Sequence, residues 1–183
     1  MIEQVKEFMT ACEQLPTEQG FVDLINLRFR LIDEEVKELH DAETPVEHLD
    51  AIVDILYVAY GALLAFGVED EFSEDSHESI PYNFKVLKQD KLLMSTDNLV
   101  VARSYEEFID AIHDIIFVAH KLGAMFPLEE AFDEVHQSNM SKLVDGKPVK
   151  NHYGKVLKGP YYAPPNLGLY IPEENDVETI ENN

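Results

Sequence analysis

Glu34-Glu35-Val36-Lys37-Glu38 and Leu49-Asp50-Ala51-Ile52-Val53-Asp54-Ile55-Leu56-Tyr57 set acidic side chains into two stretches otherwise patterned as apolar helices. At about 100° per residue, Leu24, Leu27, Leu31, Ile32 and Leu39 fall on one stripe of the first helix. Glu35 and Glu38 project from the middle of that stripe, while Asp33 and Lys37 point away. The two glutamates are therefore expected to face the core, where an ionised, unpaired carboxylate is costly or takes up a proton. Lys37 is the only base within a turn of them and lies on the opposite face, because residues two apart on a helix do not meet. On the next helix Asp50 and Asp54, at i and i+4, share one edge with Glu47. Two carboxylate pairs without a basic partner predict a site for a divalent cation bound by oxygen, Mg²⁺ first and Mn²⁺ second.

The surrounding pattern is helical. Residues 2–13 make a short amphipathic helix, and Phe21 to about Ala42 is the first acidic helix. Thr44-Pro45-Val46-Glu47 supplies an N-cap, a proline at the first helical position and a capping box for a helix that runs to Phe66 and stops at Gly67. Residues 68–83 read as a loop, Phe84–Leu93 as helical, and Asn98–Ala102 as either a short strand or a turn. Ser104-Tyr105-Glu106-Glu107 opens a helix to about Lys121, and another follows Pro127 to about Leu143. Past Val144 the glycines and prolines forbid a long helix. The expectation is an all-α bundle of four to five helices in a single domain over 1–170, with an insertion at about 68–104, an irregular basic segment and a disordered acidic tail at 171–183.

Asp50-Ala-Ile-Val-Asp54-Ile-Leu-Tyr-Val-Ala59 is echoed by Asp110-Ala-Ile-His-Asp114-Ile-Ile-Phe-Val-Ala119 at a constant offset of 60, with Phe66 matching Phe126. If the offset holds upstream, Met94, Ser95 and Asn98 replace Glu34, Glu35 and Glu38, and a second copy could not bind the same metals.

A formal net charge of −22 lacks the basic footprint that nucleic acid or an anionic membrane requires, so neither is expected as a partner. The one cysteine, Cys12, excludes an internal disulfide framework and suits a reducing cytoplasm as a structural thiol. No secretory signal and no uncharged run of membrane-spanning length is visible, so a soluble, cytoplasmic protein is expected. Lys142, Lys147, Lys150, Lys155 and Lys158 cluster in a stretch where Asp145 is the only acid. That island reads either as a solvated loop balancing an acidic body or as a flap meeting a small polyanion such as a triphosphate.

E-E-x-x-E on one helix and D-x-x-x-D on the next, joined by Glu134-Val135-His136-Gln137-Ser138-Asn139-Met140-Ser141-Lys142-Leu143, Asp145-Gly146-Lys147-Pro148 and Gly154-Lys155-Val156-Leu157-Lys158-Gly159-Pro160, resembles the all-α nucleoside triphosphate pyrophosphohydrolases. That superfamily includes MazG, the dimeric dUTPases and phosphoribosyl-ATP pyrophosphohydrolase, and the resemblance covers residues 4–67 and 126–167. It implies Mg²⁺-dependent conversion of a (d)NTP to the monophosphate and pyrophosphate, as in nucleotide-pool control. It also implies Glu35, Glu38 and Asp54 as metal ligands, and Glu34 as the group that positions or deprotonates the attacking water. Many relatives carry E-x-x-D on the second helix, whereas Ala51 stands three before Asp54, so Asp50 and Glu47 compete as fourth ligand. Asn139, Lys142, Lys155 and Lys158 are where phosphate contacts would fall, and relatives imply a homodimer.

Two other classes remain at this point. A di-iron carboxylate bundle would use Asp110-Ala-Ile-His113 and Asp133-Glu-Val-His136, although both have aspartate where that motif has glutamate. A non-catalytic bundle would bind a nucleotide or a protein without turning anything over.

Overall fold

The computed structural model describes residues 1–15, 20–69, 92, 96–151 and 156–172. The protein is all-α: α1 (Ile2–Ala11), α2 (Phe21–Asp41), α3 (Pro45–Ala65), α4 (Tyr105–Gly123), α5 (Leu128–Met140) and a 3₁₀ turn, Leu167–Tyr170. The apolar helix α3 is the axis of the bundle, and α1, α2, α4, α5 and the 3₁₀ turn all pack on it. Leu49, Ile52, Ile55, Leu56 and Leu63 of α3 are fully buried, each stabilising the fold by about 1.5–3 kcal/mol relative to exposure. α3 is also long and apolar enough to cross a membrane, yet 83% of that stretch is buried inside the bundle, as befits a core helix.

Both ends of α3 are set by local chemistry. The Thr44 hydroxyl accepts from Glu47 N at 3.2 Å, and the Glu47 carboxylate accepts from Thr44 N at 2.9 Å, which completes the capping box. At the other end Gly67 takes φ +78°, and Val68 N donates to Leu63 O at 2.9 Å, a turn that a residue with a Cβ resists. Only residues 42–44 separate α2 from α3, so the two lie as a helical hairpin with their facing edges in contact along their length.

The 60-residue echo extends to structure. Ser104 caps α4 as Thr44 caps α3, with Glu107 N donating to its hydroxyl at 3.1 Å. Upstream, residues 96–101 are helical, as is Leu92, and Leu92, Thr96 and Leu99 are buried like their counterparts Ile32, Val36 and Leu39. Asn98–Ala102 is therefore neither strand nor turn for most of its length: the helix runs through 101, because its buried residues repeat at helical spacing. Tyr60 and His120, equivalent positions of the two copies, meet at 3.0 Å.

α5 ends at Met140, three residues before the position expected from the sequence. There Ser141 and Lys142 close into a turn whose N–H groups reach back to Gln137 and Asn139. Beyond it the described residues pair at isolated bridges, Val144 with Lys147 and Lys150 with Val156. Ala163 N donates to Ser141 Oγ at 2.9 Å and Asn166 N to Glu134 Oε1 at 2.9 Å, tying the C-terminal segment onto α5. Most of the loop expected at 68–83, the helix at 84–93 apart from Leu92, and the tail from 173 lie outside the described residues.

Candidate active site

The seam between α2 and α3 carries the acidic residues. Glu35 is half-buried, and so are Asp50 and Asp54 across from it; Glu34 and Glu38 are exposed at the rim. Glu38 thus departs from the expected core-facing position, because Val36 and Leu39 take the buried face at that level. Burial lifts the Glu35 carboxyl from 4.5 to about 8, with Asp54, Glu38, Glu34 and Asp50 all pushing in the same direction. Burial likewise raises Asp54 to about 7, reinforced by Asp50 and Glu38, and raises Asp50 above its ordinary value. Five carboxylates therefore act on one another with Lys37 turned away on Asp33. Glu47, by contrast, is exposed and committed to the α3 cap, where bonds from Glu43 N and Thr44 N hold it below the usual carboxylate range. This leaves Asp50 as the acid facing the seam.

Among the described residues, one base opposes this charge at Asp54. Lys142, in the turn after α5, is the cation that lowers the Asp54 pKa. Its ammonium donates to Asn139 Oδ1 at 2.6 Å. The Lys158-Gly159-Pro160 segment is laid against the same turn: a Cβ on Gly159 would stand 2.9 Å from the Lys142 carbonyl oxygen and 2.9 Å from Val144 Cγ2. Lys158 itself lies over the Tyr162 ring at 4.5 Å, and Lys155 lies outside the described residues. Lys150 and Lys142 both act on the buried thiol of Cys12, whose pKa burial nonetheless raises.

Three residues of this region have surroundings that the sequence does not show. Tyr57, one turn beyond Asp54, shares a hydrogen bond of 3.1 Å with His136 Nδ1, and His136 Nε2 lies 3.3 Å from Glu7 Oε2. These contacts engage both nitrogens of His136, while Asp133 accepts from Gln4 at 2.7 Å, so the expected E-x-x-H-like pair on α5 is not free to hold iron. Arg28, two turns before Glu35 on α2, is 7% exposed, its Nε has no hydrogen-bond partner among the described residues, and burial lowers its pKa to about 10. The periodicity that marks α2 as amphipathic gives no reason to expect a guanidinium inside it.

Among the described residues no three His, Cys, Asp or Glu side chains are already disposed around a common point suited to a metal ion. The donor chemistry nevertheless fits a hard divalent cation: the facing groups are all carboxylates, and proton uptake by Glu35 and Asp54 is the response of a seam with excess negative charge.

The family model of phosphoribosyl-ATP pyrophosphohydrolase matches residues 1–79, the stretch that holds α1, α2, α3 and every acid of the seam. Those residues are similar to a family of the MazG-like nucleoside triphosphate pyrophosphohydrolase kind, over less than half of the chain. The match stops short of Lys142, which the fold and not the matched segment brings to act on Asp54. The chain is also 31% identical to the uncharacterized protein L479 of Acanthamoeba polyphaga mimivirus, in an alignment that covers 65% of this chain and 59% of that protein. No solved structure matches it.

Proposed function

We propose that the protein is a Mg²⁺-dependent nucleoside triphosphate pyrophosphohydrolase, converting a (d)NTP and water to the (d)NMP and pyrophosphate. The observation that carries this reading is the α2–α3 seam itself: half-buried carboxylates that repel one another to the point of holding protons, with the ammonium of Lys142 acting on Asp54 from the side. Glu35, Glu38, Asp50 and Asp54 would hold the cation, whose binding would replace those protons. Mg²⁺ there would supply charge neutralisation at the phosphate oxygens and a lowered pKa for a nearby water. Glu34, exposed beside Glu35, is the residue suited to accept the proton of that water as its oxygen attacks phosphorus. The phosphoanhydride bond breaks and pyrophosphate leaves, its charge met by Lys142 and by the Lys158 segment packed against it.

Lys142 and the basic island favour this reading over a bundle that only binds nucleotides, because cations next to an acidic metal site are what a departing pyrophosphate requires. The protein is further proposed to act on nucleotide pools in the cytoplasm, as a homodimer, without nucleic-acid or membrane partners. A panel of nucleoside triphosphates with Mg²⁺, followed for pyrophosphate and monophosphate, tests the reading. Asp54→Asn should abolish turnover with the helical fold retained. Release of orthophosphate instead of pyrophosphate, or full activity of Asp54→Asn, would overturn it.

A further inference from the structure

We infer that Arg28 reads the base of the substrate, pairing with the two adjacent acceptors of guanine or cytosine while the seam carboxylates take the metal and phosphates. The inference deepens the proposed function and rests on it for the triphosphate.

The α2–α3 hairpin sets the position of Arg28. A Cβ on Gly61 would stand 3.3 Å from Arg28 Nη1, so these two residues face each other across the antiparallel pair. Facing residues of antiparallel helices keep this register: seven residues on along α2 and seven back along α3, Glu35 comes opposite Asp54. Seven residues are close to two full turns, so Arg28 and Glu35 share one face of α2 about 10 Å apart along its axis. The guanidinium therefore lies in the same seam as the acids, at the interval that separates the phosphates of a nucleotide from its base edge.

The fold gives this cation nothing to pair with. Arg28 is 7% exposed, its Nε has no hydrogen-bond partner, and none of the ion pairs among the described residues includes it. With its pKa lowered to about 10 it is still charged at neutral pH. A buried charge without a partner is costly, and methionine would fill the space without that cost. Gly61 adds a second cost, because a glycine in the interior of a helix is less stable than alanine. What Gly61 provides is room: Nη1 and Met9 Sδ each lie 3.3 Å, and Val5 Cγ1 3.6 Å, from where its Cβ would be. Two unfavourable choices at facing positions thus keep one guanidinium in the seam with an unused donor.

A guanidinium donates and never accepts, and its N–H groups form a planar fork. With Nη1 turned to Gly61, the Nε–Nη2 edge offers two parallel N–H groups. Guanine matches them with O6 and N7, and cytosine with O2 and N3. Adenine sets its amino donor beside N7 and N1, and thymine or uracil sets an N–H between its two carbonyls, so each leaves one donor of the fork unpaired. Met9, whose unbranched thioether re-packs at low cost, is the neighbour suited to yield to an entering ring.

Deoxynucleoside monophosphates carry no anhydride, so their binding reads the base end whether or not hydrolysis occurs. Titrated with Mg²⁺ into the full-length protein, dGMP or dCMP should bind at least about tenfold more tightly than dAMP and dTMP, the scale of one charged hydrogen bond. Arg28→Met should weaken the favoured monophosphate about tenfold to a hundredfold and the others less than about threefold. Its stability in urea should not fall, whereas a purely structural arginine would be missed there. Gly61→Ala, which presses a methyl group on Nη1, should reduce the same preference and provides the test should Arg28→Met fail to fold. Absence of a base preference in the wild type, or equal weakening of all four monophosphates by these substitutions, overturns the role of Arg28. Base-selective binding without pyrophosphate release from any triphosphate supports Arg28 and overturns instead the proposed hydrolysis.

Discussion

Replacing Glu35 by glutamine removes the most perturbed carboxyl of the seam, and its effect on the metal-free protein has a definite sign. Burial and four neighbouring carboxylates raise Glu35 from 4.5 to about 8 in the folded chain. The folded state therefore holds this proton more tightly than the unfolded state does. The resulting stabilisation is fully present below about pH 4.5 and is lost as pH rises through about 8. At about 1.4 kcal/mol per pH unit, the loss is on the order of 4–5 kcal/mol, a large part of the stability of a small domain. Asp54, raised to about 7, acts in the same sense, and because the two groups repel each other their contributions overlap. Glu35→Gln is neutral at every pH. In EDTA it should match the wild type near pH 4.5 and exceed it by a few kcal/mol near pH 8.5, as read by urea unfolding followed by far-UV circular dichroism. General repulsion from a net charge of −22 destabilises both proteins alike, so the difference between the two curves isolates the seam. Mg²⁺ should then stabilise the wild type near pH 8.5 more than the variant. Parallel curves across the whole range would refute the claim that Glu35 is held protonated by its neighbours.

Three further outcomes follow from the same geometry. Asp114→Asn alters the exposed counterpart of Asp54 in the second copy, and turnover should remain within about twofold of wild type; a loss as deep as that of Asp54→Asn would show the second copy to be catalytic. Arg28→Met removes a buried guanidinium whose Nε has no hydrogen-bond partner among the described residues and should raise the unfolding free energy by about 1–3 kcal/mol in chemical denaturation, whereas a fall would mean that the cation is compensated. Gly159→Ala drives a methyl group against the Lys142 carbonyl at 2.9 Å, so the Lys158 segment must shift; a thermal melt should show a loss of about 1–3 kcal/mol, and triphosphate KM should rise while a short-chain control, the monophosphate, binds nearly as before.

Helix order, the α3 cap and the pairing of Glu35 with Asp54 could be read from the chain alone, because each rests on spacing within one segment: the 3.6-residue period, a Thr-Pro-x-Glu start, a glycine stop. The echo at an offset of 60 was equally visible, and it anticipates the buried Leu92, Thr96 and Leu99 through their first-copy counterparts. What local spacing could not decide is which long-range neighbours compensate a polar group. It placed Glu38 towards the core, whereas packing of Val36 and Leu39 turns it to the rim. It left Glu47 in competition with Asp50, and only the cap hydrogen bonds remove Glu47 from the seam. It offered His136 as an iron ligand of an alternative bundle, but contacts to Tyr57, 79 residues away, and to Glu7, 129 residues away, give both of its nitrogens other partners. Periodicity fixes the face of a helix on which a residue lies; the solvation and charge it meets there are set by the other helices, which the fold alone brings together.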